Sequence, residues 1–246
     1  MTKIISVTSG KGGVGKSTVS AGVAAAFARR GKKTLIVELD MGLRGLDLML
    51  GMENRIVYDL GDVLQGRCLP WDAVVQSEEI PRLWYLAAPS RTLLQFRFED
   101  LVKCVNDLKE KFDIIILDTP AGLGISMMAV RDLSDYAVIV ATPDPVCIRD
   151  GAKVAEMMEE MHFSDYGVMI NRVSRAAVRK SSIHDLDDVI DGVGAPLIGV
   201  LTEDLALQNA QSRGLILPED TRPSKVFLAL SKRLEGIYVP LVIDRL

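Results

Sequence analysis

Between a short apolar run, Ile4 to Thr8, and a stretch of helical periodicity from Lys16 to Arg30 lies Gly10-Lys11-Gly12-Gly13-Val14-Gly15-Lys16-Ser17-Thr18. Four glycines within six residues cannot continue either element, since glycine packs no side chain and gives up the most backbone freedom on ordering. The chain must therefore turn tightly from strand into helix, the opening half of a parallel crossover unit. From Gly10 to Ser17 the spacing fits G-x-x-x-x-G-K-[ST], in which bare backbone wraps a phosphate with its N–H groups pointing inward. Lys16 then neutralises the β- and γ-phosphates, the Ser17 hydroxyl ligates Mg²⁺, and the helix amino end adds its partial positive charge. Gly10 through Thr18 are the candidate nucleotide-binding residues.

Beyond that loop, short apolar runs alternate with longer helical patterns, as in a parallel sheet covered on both faces. Strands are predicted at Ile4 to Thr8, Thr34 to Leu39, Leu83 to Ala87, Asp113 to Leu117, Ala137 to Ala141, Gly167 to Ile170 and Leu197 to Leu201. Helices are predicted at Lys16 to Arg30, Phe98 to Lys111, Ile125 to Leu133, Ile148 to Met161 and Pro223 to Leu234. In the first helix Val19, Val23 and Phe27 make a buried stripe, alanines keep its girth small, and Gly31 stops it. No repeat, low-complexity stretch or linker interrupts residues 1–246. The expectation is one α/β domain, a P-loop nucleoside triphosphatase with a mostly parallel sheet and helices on both faces.

Composition narrows the function classes. A formal net charge of −4 argues against nucleic-acid binding through diffuse positive charge. No apolar run reaches the length of a membrane-spanning helix, and Met1 to Val7 lacks the pattern of a signal peptide. Cys68, Cys104 and Cys147 lie far apart and are expected as free thiols in a reducing cytoplasm. With only His162 and His184 as histidines, a transition-metal site has little support.

Two acidic stretches add chemistry to the loop. The run Thr34-Leu35-Ile36-Val37-Glu38-Leu39-Asp40 delivers two carboxylates to the carboxyl end of a strand, the edge where open α/β sheets bind ligands. Asp113-Ile114-Ile115-Ile116-Leu117-Asp118 is a buried strand ending in an acid, and Asp118 is expected to reach the metal through water. The turn Thr119-Pro120-Ala121-Gly122 after it makes a candidate second switch.

The second loop lysine, Lys11, narrows the reading further. Lys11-Gly12-Gly13-Val14-Gly15-Lys16-Ser17 resembles the deviant Walker A motif of the ParA/MinD superfamily, and Asp40-Met41-Gly42-Leu43-Arg44-Gly45-Leu46-Asp47 resembles the first switch of MinD proteins. Leu46 to Gly51, Val57 to Leu60 and Val63 to Gly66 also look like MinD segments. The resemblance implies an ATP- and Mg²⁺-dependent ATPase of division-site placement, acting as an ATP-dependent homodimer. Lys11 would reach the partner's phosphates, Lys16 its own, and Asp40 would position or deprotonate the attacking water; these three are the candidate catalytic residues. Glu38 departs from the family, where aspartate is usual, and is expected to hold a magnesium-bound water with slower hydrolysis. Asn171, Glu203 and Asp204 are the candidate adenine contacts, although proline is usual where Thr202 stands. An activator or effector of the MinE or MinC type is implied.

The ending does not follow the family. MinD proteins finish with a basic amphipathic helix on the membrane, whereas Pro240 and a single arginine, Arg245, mark the last residues here. Val226, Phe227, Leu230 and Leu234 are expected on a core face, not a lipid face. The protein is therefore expected in the cytoplasm, with peripheral contact at the inner membrane face open, or the chain is truncated. Two other positioning ATPases stay as alternatives: a ParA-like one, with Arg172 to Lys180 touching DNA, and a flagellar-number regulator. A different class is a non-hydrolysing nucleotide scaffold. Cluster-binding relatives are disfavoured because Gly122 to Arg131 contains no cysteine.

Overall fold

The computed structural model describes residues 1–41, 44–90, 96–174 and 185–241. Its eight strands are β1 (Lys3–Thr8), β2 (Thr34–Glu38), β3 (Val74–Gln76), β4 (Leu83–Leu86), β5 (Ile114–Asp118), β6 (Tyr136–Ala141), β7 (Tyr166–Val173) and β8 (Leu197–Thr202), in one sheet ordered β3-β4-β2-β5-β1-β6-β7-β8. Every pairing is parallel except β3 with β4. The described helices are α1 (Lys16–Arg29), α2 (Leu46–Met49), α3 (Leu60–Leu64), α4 (Phe98–Lys109), α5 (Ile125–Leu133), α6 (Pro145–Glu160), α7 (Leu186–Val193), α8 (Leu205–Gln211) and α9 (Arg222–Arg233).

Strand alternation sorts the core into two layers. Ile5, Val7, Ile36, Ile116, Val138 and Met169 face one side, where they pack with Val19, Val23 and Phe27 of α1 and with Phe227 and Leu230 of α9. Ile4, Leu35, Val37, Ile115 and Leu117 face the other side with α4 and α5, and Ile139, Val168 and Ile170 meet α6 and α7 there. Such strands are apolar on both faces because helices cover both. Helix α1 lies close to α9 at Gly22, where a Cβ would stand 2.3 Å from the Phe227 ring. Gly31 takes φ +87° just beyond α1, the left-handed turn that ends it.

All seven expected strands and five expected helices are present. On the predicted core face of the last helix Phe227, Leu230 and Leu234 are buried, and Val226 is half-buried against the same core. Differences are local. The antiparallel β3 has only three residues, too few to show a period. Helices α2, α3, α7 and α8 are equally short of signal, at four to eight residues. Helix α6 starts at Pro145, three residues before the expected Ile148, because proline suits the first helical position and the Asp144 side chain accepts the Cys147 N–H at 3.0 Å. Cys104 and Cys147 are buried free thiols, and Cys68 is half-buried.

Candidate functional site

The glycine loop joins β1 to α1 at the carboxyl edge of the sheet, between neighbours β5 and β6. Gly13 and Gly15 take φ +78° and +96°, conformations in which an L side chain is strained. Gly15 is required twice over, since a Cβ there would also fall 2.2 Å from the Asn171 amide nitrogen. Val19 N–H bonds to the Gly15 carbonyl at 3.0 Å, so the free amino end of α1 opens directly onto the loop.

Three candidate residues converge on that opening. Lys16 is only 7% exposed, and burial lowers its pKa against the pull of Asp118 and Asp40. Asp118, at the end of β5, is fully buried; its carboxylate accepts the Ser17 hydroxyl at 2.8 Å and the Ser20 hydroxyl at 2.7 Å. Burial pushes the Asp118 carboxyl up to about 6 although both serines oppose the shift. Asp40, half-buried just beyond β2, is also raised by burial, with Lys16 pulling it back. The sequence pointed to Ser17 and Asp118 but missed Ser20, which sits three residues on and hence on the same helix face.

Lys11 stands apart from this cluster. Its ammonium lies 3.3 Å from the Asp144 carboxylate, both side chains nearly half exposed. Asp144 caps α6, and the Cys147 N–H and then Lys11 hold its carboxyl below the usual range. Sequence carried no sign of this pair, because the two residues are 133 apart. The second switch is tied to the loop: Thr119 N–H and hydroxyl bond to the Val7 carbonyl at 3.2 and 2.9 Å, and Gly122 N–H to that of Ser9 at 3.0 Å.

Glu38, expected to hold a magnesium-bound water, is enclosed by donors of the protein. It is 1% exposed, and its carboxylate accepts the N–H groups of Gly45, Leu46 and Ala88 at 3.1, 3.2 and 3.4 Å and the Tyr85 hydroxyl. Burial raises its pKa against all four of those bonds.

The candidate adenine residues share one cavity of about 690 Å³ beside the loop, with Thr18, Asn171, Glu203 and Asp204 in its lining. Its volume suits a nucleoside. Asn171 turns its amide to the loop, giving Nδ2–H to the Val14 carbonyl at 2.8 Å, while its Oδ1 accepts Arg172 N–H at 2.9 Å. The Asp204 carboxylate caps α8 through the Leu207 N–H at 2.9 Å. Gln211 of α8 accepts the Thr18 hydroxyl at 3.1 Å and so joins cavity to loop. Most of the basic stretch considered for DNA, from Arg175 to Lys180, lies outside the described residues, as do the last five residues of the chain. Among the described residues no helix is long and apolar enough to cross a membrane.

Comparison with known proteins agrees with this geometry. The ParA family model described as NUBPL iron-transfer P-loop NTPase matches residues 1–186. The septum site-determining protein MinD of Synechocystis is 37% identical over 244 residues, covering 98% of this chain and 92% of that protein. The MinC:MinD cell division protein complex of Aquifex aeolicus contains a chain 36% identical, with TM-score 0.88 and coverage of 98% and 99%. MinD of Pyrococcus horikoshii, solved with Mg-ADP, is 27% identical with TM-score 0.80, and each chain covers 96% of the other.

Proposed function

The chain belongs to the MinD branch of the ParA/MinD superfamily of P-loop ATPases, and on that premise we propose that it places the division site as an ATP-dependent dimerising switch. The observation that carries this reading is the convergence of the glycine loop, Lys16, the Ser17–Asp118 pair and Asp40 at one sheet edge. The Lys16 side chain makes no hydrogen bond among the described residues, and the residue is largely buried. Its ammonium is thus left for a ligand, and phosphoryl oxygens would supply the acceptors.

The residues divide the work. The loop N–H groups and Lys16 bind and orient the β- and γ-phosphates. Ser17 and Asp118 would hold Mg²⁺, Asp118 through water; when bound, the ion neutralises charge on the phosphoryl oxygens. Asp40 orients the attacking water and accepts its proton. Asn171, Glu203 and Asp204 would line the base site, Asn171 after yielding its bond to Val14. We place the work in the cytoplasm or on the inner membrane face, with a partner of the MinC or MinE type.

Two measurements test this reading. Lys11 is held by one exposed ion pair, a weak restraint, so it is free to leave Asp144 for a partner's phosphates. Lys11→Ala should abolish ATP-dependent dimers in size-exclusion chromatography with light scattering while the monomer still binds nucleotide. Persistent dimers would reject the role of Lys11 across the interface.

The second is a pH dependence. Metal binding needs the Asp118 carboxylate, and a proton competes for it below about 6. Apparent Mg²⁺ affinity in the presence of nucleotide should therefore be about tenfold weaker at pH 5 than at pH 8. A flat profile would remove Asp118 from the metal site.

A further inference from the structure

We propose that Glu38 is a positioning residue: its carboxylate, with the Tyr85 hydroxyl, closes the loop that carries Asp40 and fixes the amino end of α2. The inference rests on the ATPase reading for its catalytic consequence, but the clamp itself is a matter of geometry. An ionised carboxylate offers about four acceptor positions. Here Gly45, Leu46, Tyr85 and Ala88 fill them. A metal-bound water would arrive as a fifth donor at a group already satisfied.

The clamp makes a closed ring. One end is the Glu38 side chain, bonded to backbone seven and eight residues later. Asp40 lies inside this ring, just past Leu39, whose N–H bonds to the Asp118 carbonyl at 2.9 Å. Arg44 pins the flank, giving Nε–H to the Ala88 carbonyl at 2.8 Å and its guanidinium to Asp59 at 2.5 Å. Asp59 in turn caps α3. The described residues on both sides of Asp40 are thus tied, Glu38 and Leu39 before it and Arg44, Gly45 and Leu46 after it.

The same carboxylate holds a wall of the nucleotide cavity. Helix α2 is four residues long and Gly45, at its amino end, supplies no side-chain cap. A helix that short does not stand alone, and Glu38 does for its orphan N–H groups what a capping serine or aspartate does elsewhere. Gly45, Leu48 and Met49 then line the cavity. Beyond α2, Gly51 and Gly214 touch backbone to backbone: a Cβ on Gly51 would sit 2.7 Å from the Gly214 carbonyl oxygen. Glu38, α2 and the loop after α8 thus form one connected frame from Asp40 to the base site.

The extra methylene of glutamate suits this work. Glu38 pairs with Asp118 in the β2–β5 register. An aspartate would draw its carboxylate back from Gly45 and Leu46 toward the backbone beside Asp118, losing donors and nearing a like charge.

The test compares Glu38→Gln, Glu38→Asp and Tyr85→Phe with the parent chain. It combines steady-state ATPase assays, Mg²⁺ titrations with nucleotide, and hydrogen exchange over residues 44–49 without nucleotide or Mg²⁺. For both Glu38 variants kcat should fall about ten- to a hundredfold through displacement of Asp40, with KM for ATP and the Mg²⁺ midpoint within about twofold. Exchange at Gly45 and Leu46 should rise. Tyr85→Phe keeps the ring and removes one donor, so it should move the same quantities less, and it stands in should the Glu38 variants fail to fold. A Mg²⁺ midpoint raised about tenfold, with kcat restored at saturating Mg²⁺, would return Glu38 to the metal's water and overturn the inference. Unchanged exchange in every variant would overturn it too. A parent chain without ATP turnover would defeat the functional reading, while exchange would still decide the clamp.

Discussion

Lys16→Ala should lower kcat/KM for ATP by about 10² to 10³ and weaken nucleotide binding in parallel. The size follows from where the ammonium stands. It is 7% exposed, with Asp118 and Asp40 as its charged neighbours, and no described hydrogen bond occupies it. Its charge is thus held in a low-dielectric setting where it acts strongly on phosphate. Alanine removes both the charge and the stem beneath the loop. The nucleotide-free fold should survive, because burial already disfavours the ammonium, and removing a buried charge of this kind relieves a desolvation cost. Asp118 and Asp40 lose a cation, so their carboxyls should titrate higher still. Isothermal titration calorimetry with ATP and a thermal melt without it separate the two effects. Full activity in a well-folded Lys16→Ala chain would sink the loop assignment.

What was legible in the sequence was local. The glycine spacing of residues 10–18 announces a strand-to-helix turn, and the run Ile114 to Asp118 announces a buried strand ending in an acid. Each needs only its own neighbours to be read, and those elements place Lys16, Ser17 and Asp118 together. What was not legible depends on residues that meet only after the sheet has formed. Tyr85 bonds to Glu38 from 47 residues away, because β4 lies beside β2 in parallel register, and no periodicity reports that adjacency. Asp144 meets Lys11 for the same kind of reason, across the β1–β6 neighbour pair. Glu38 shows the consequence: an acid at the carboxyl end of a strand reads as a holder of metal-bound water, and the four donors that surround it, from residues 45–46 and 85–88, carry no sign in the sequence. Helix α2 is as instructive, since its four residues carry no helical signal and its amino end is completed by a side chain from β2.

Asp40→Ala should keep nucleotide binding and lower kcat by about 10² to 10⁴, leaving the ATP-bound dimer trapped. The contrast with Lys16→Ala is the point of the experiment. Lys16 is assigned to phosphate in the ground state, so its loss should be felt in binding and turnover alike. Asp40 is assigned only to the attacking water, so its loss should be felt in turnover alone. Its setting fits that part: it is half-buried beyond β2, burial raises its carboxyl, and Lys16 restrains the rise. A raised carboxyl is the better proton acceptor, but phosphoryl transfer leans more on placing the water than on proton affinity. Asp40→Asn separates these contributions, because the amide can still orient a water but cannot take its proton. If orientation dominates, Asp40→Asn should retain more turnover than Asp40→Ala while both accumulate dimer with ATP. Mass photometry of the dimer and single-turnover phosphate release read the two quantities independently. Normal hydrolysis by Asp40→Ala would remove Asp40 from the mechanism, and loss of ATP binding would make it a ground-state contact instead. The Glu38 variants are expected between these extremes, since they displace Asp40 without deleting it.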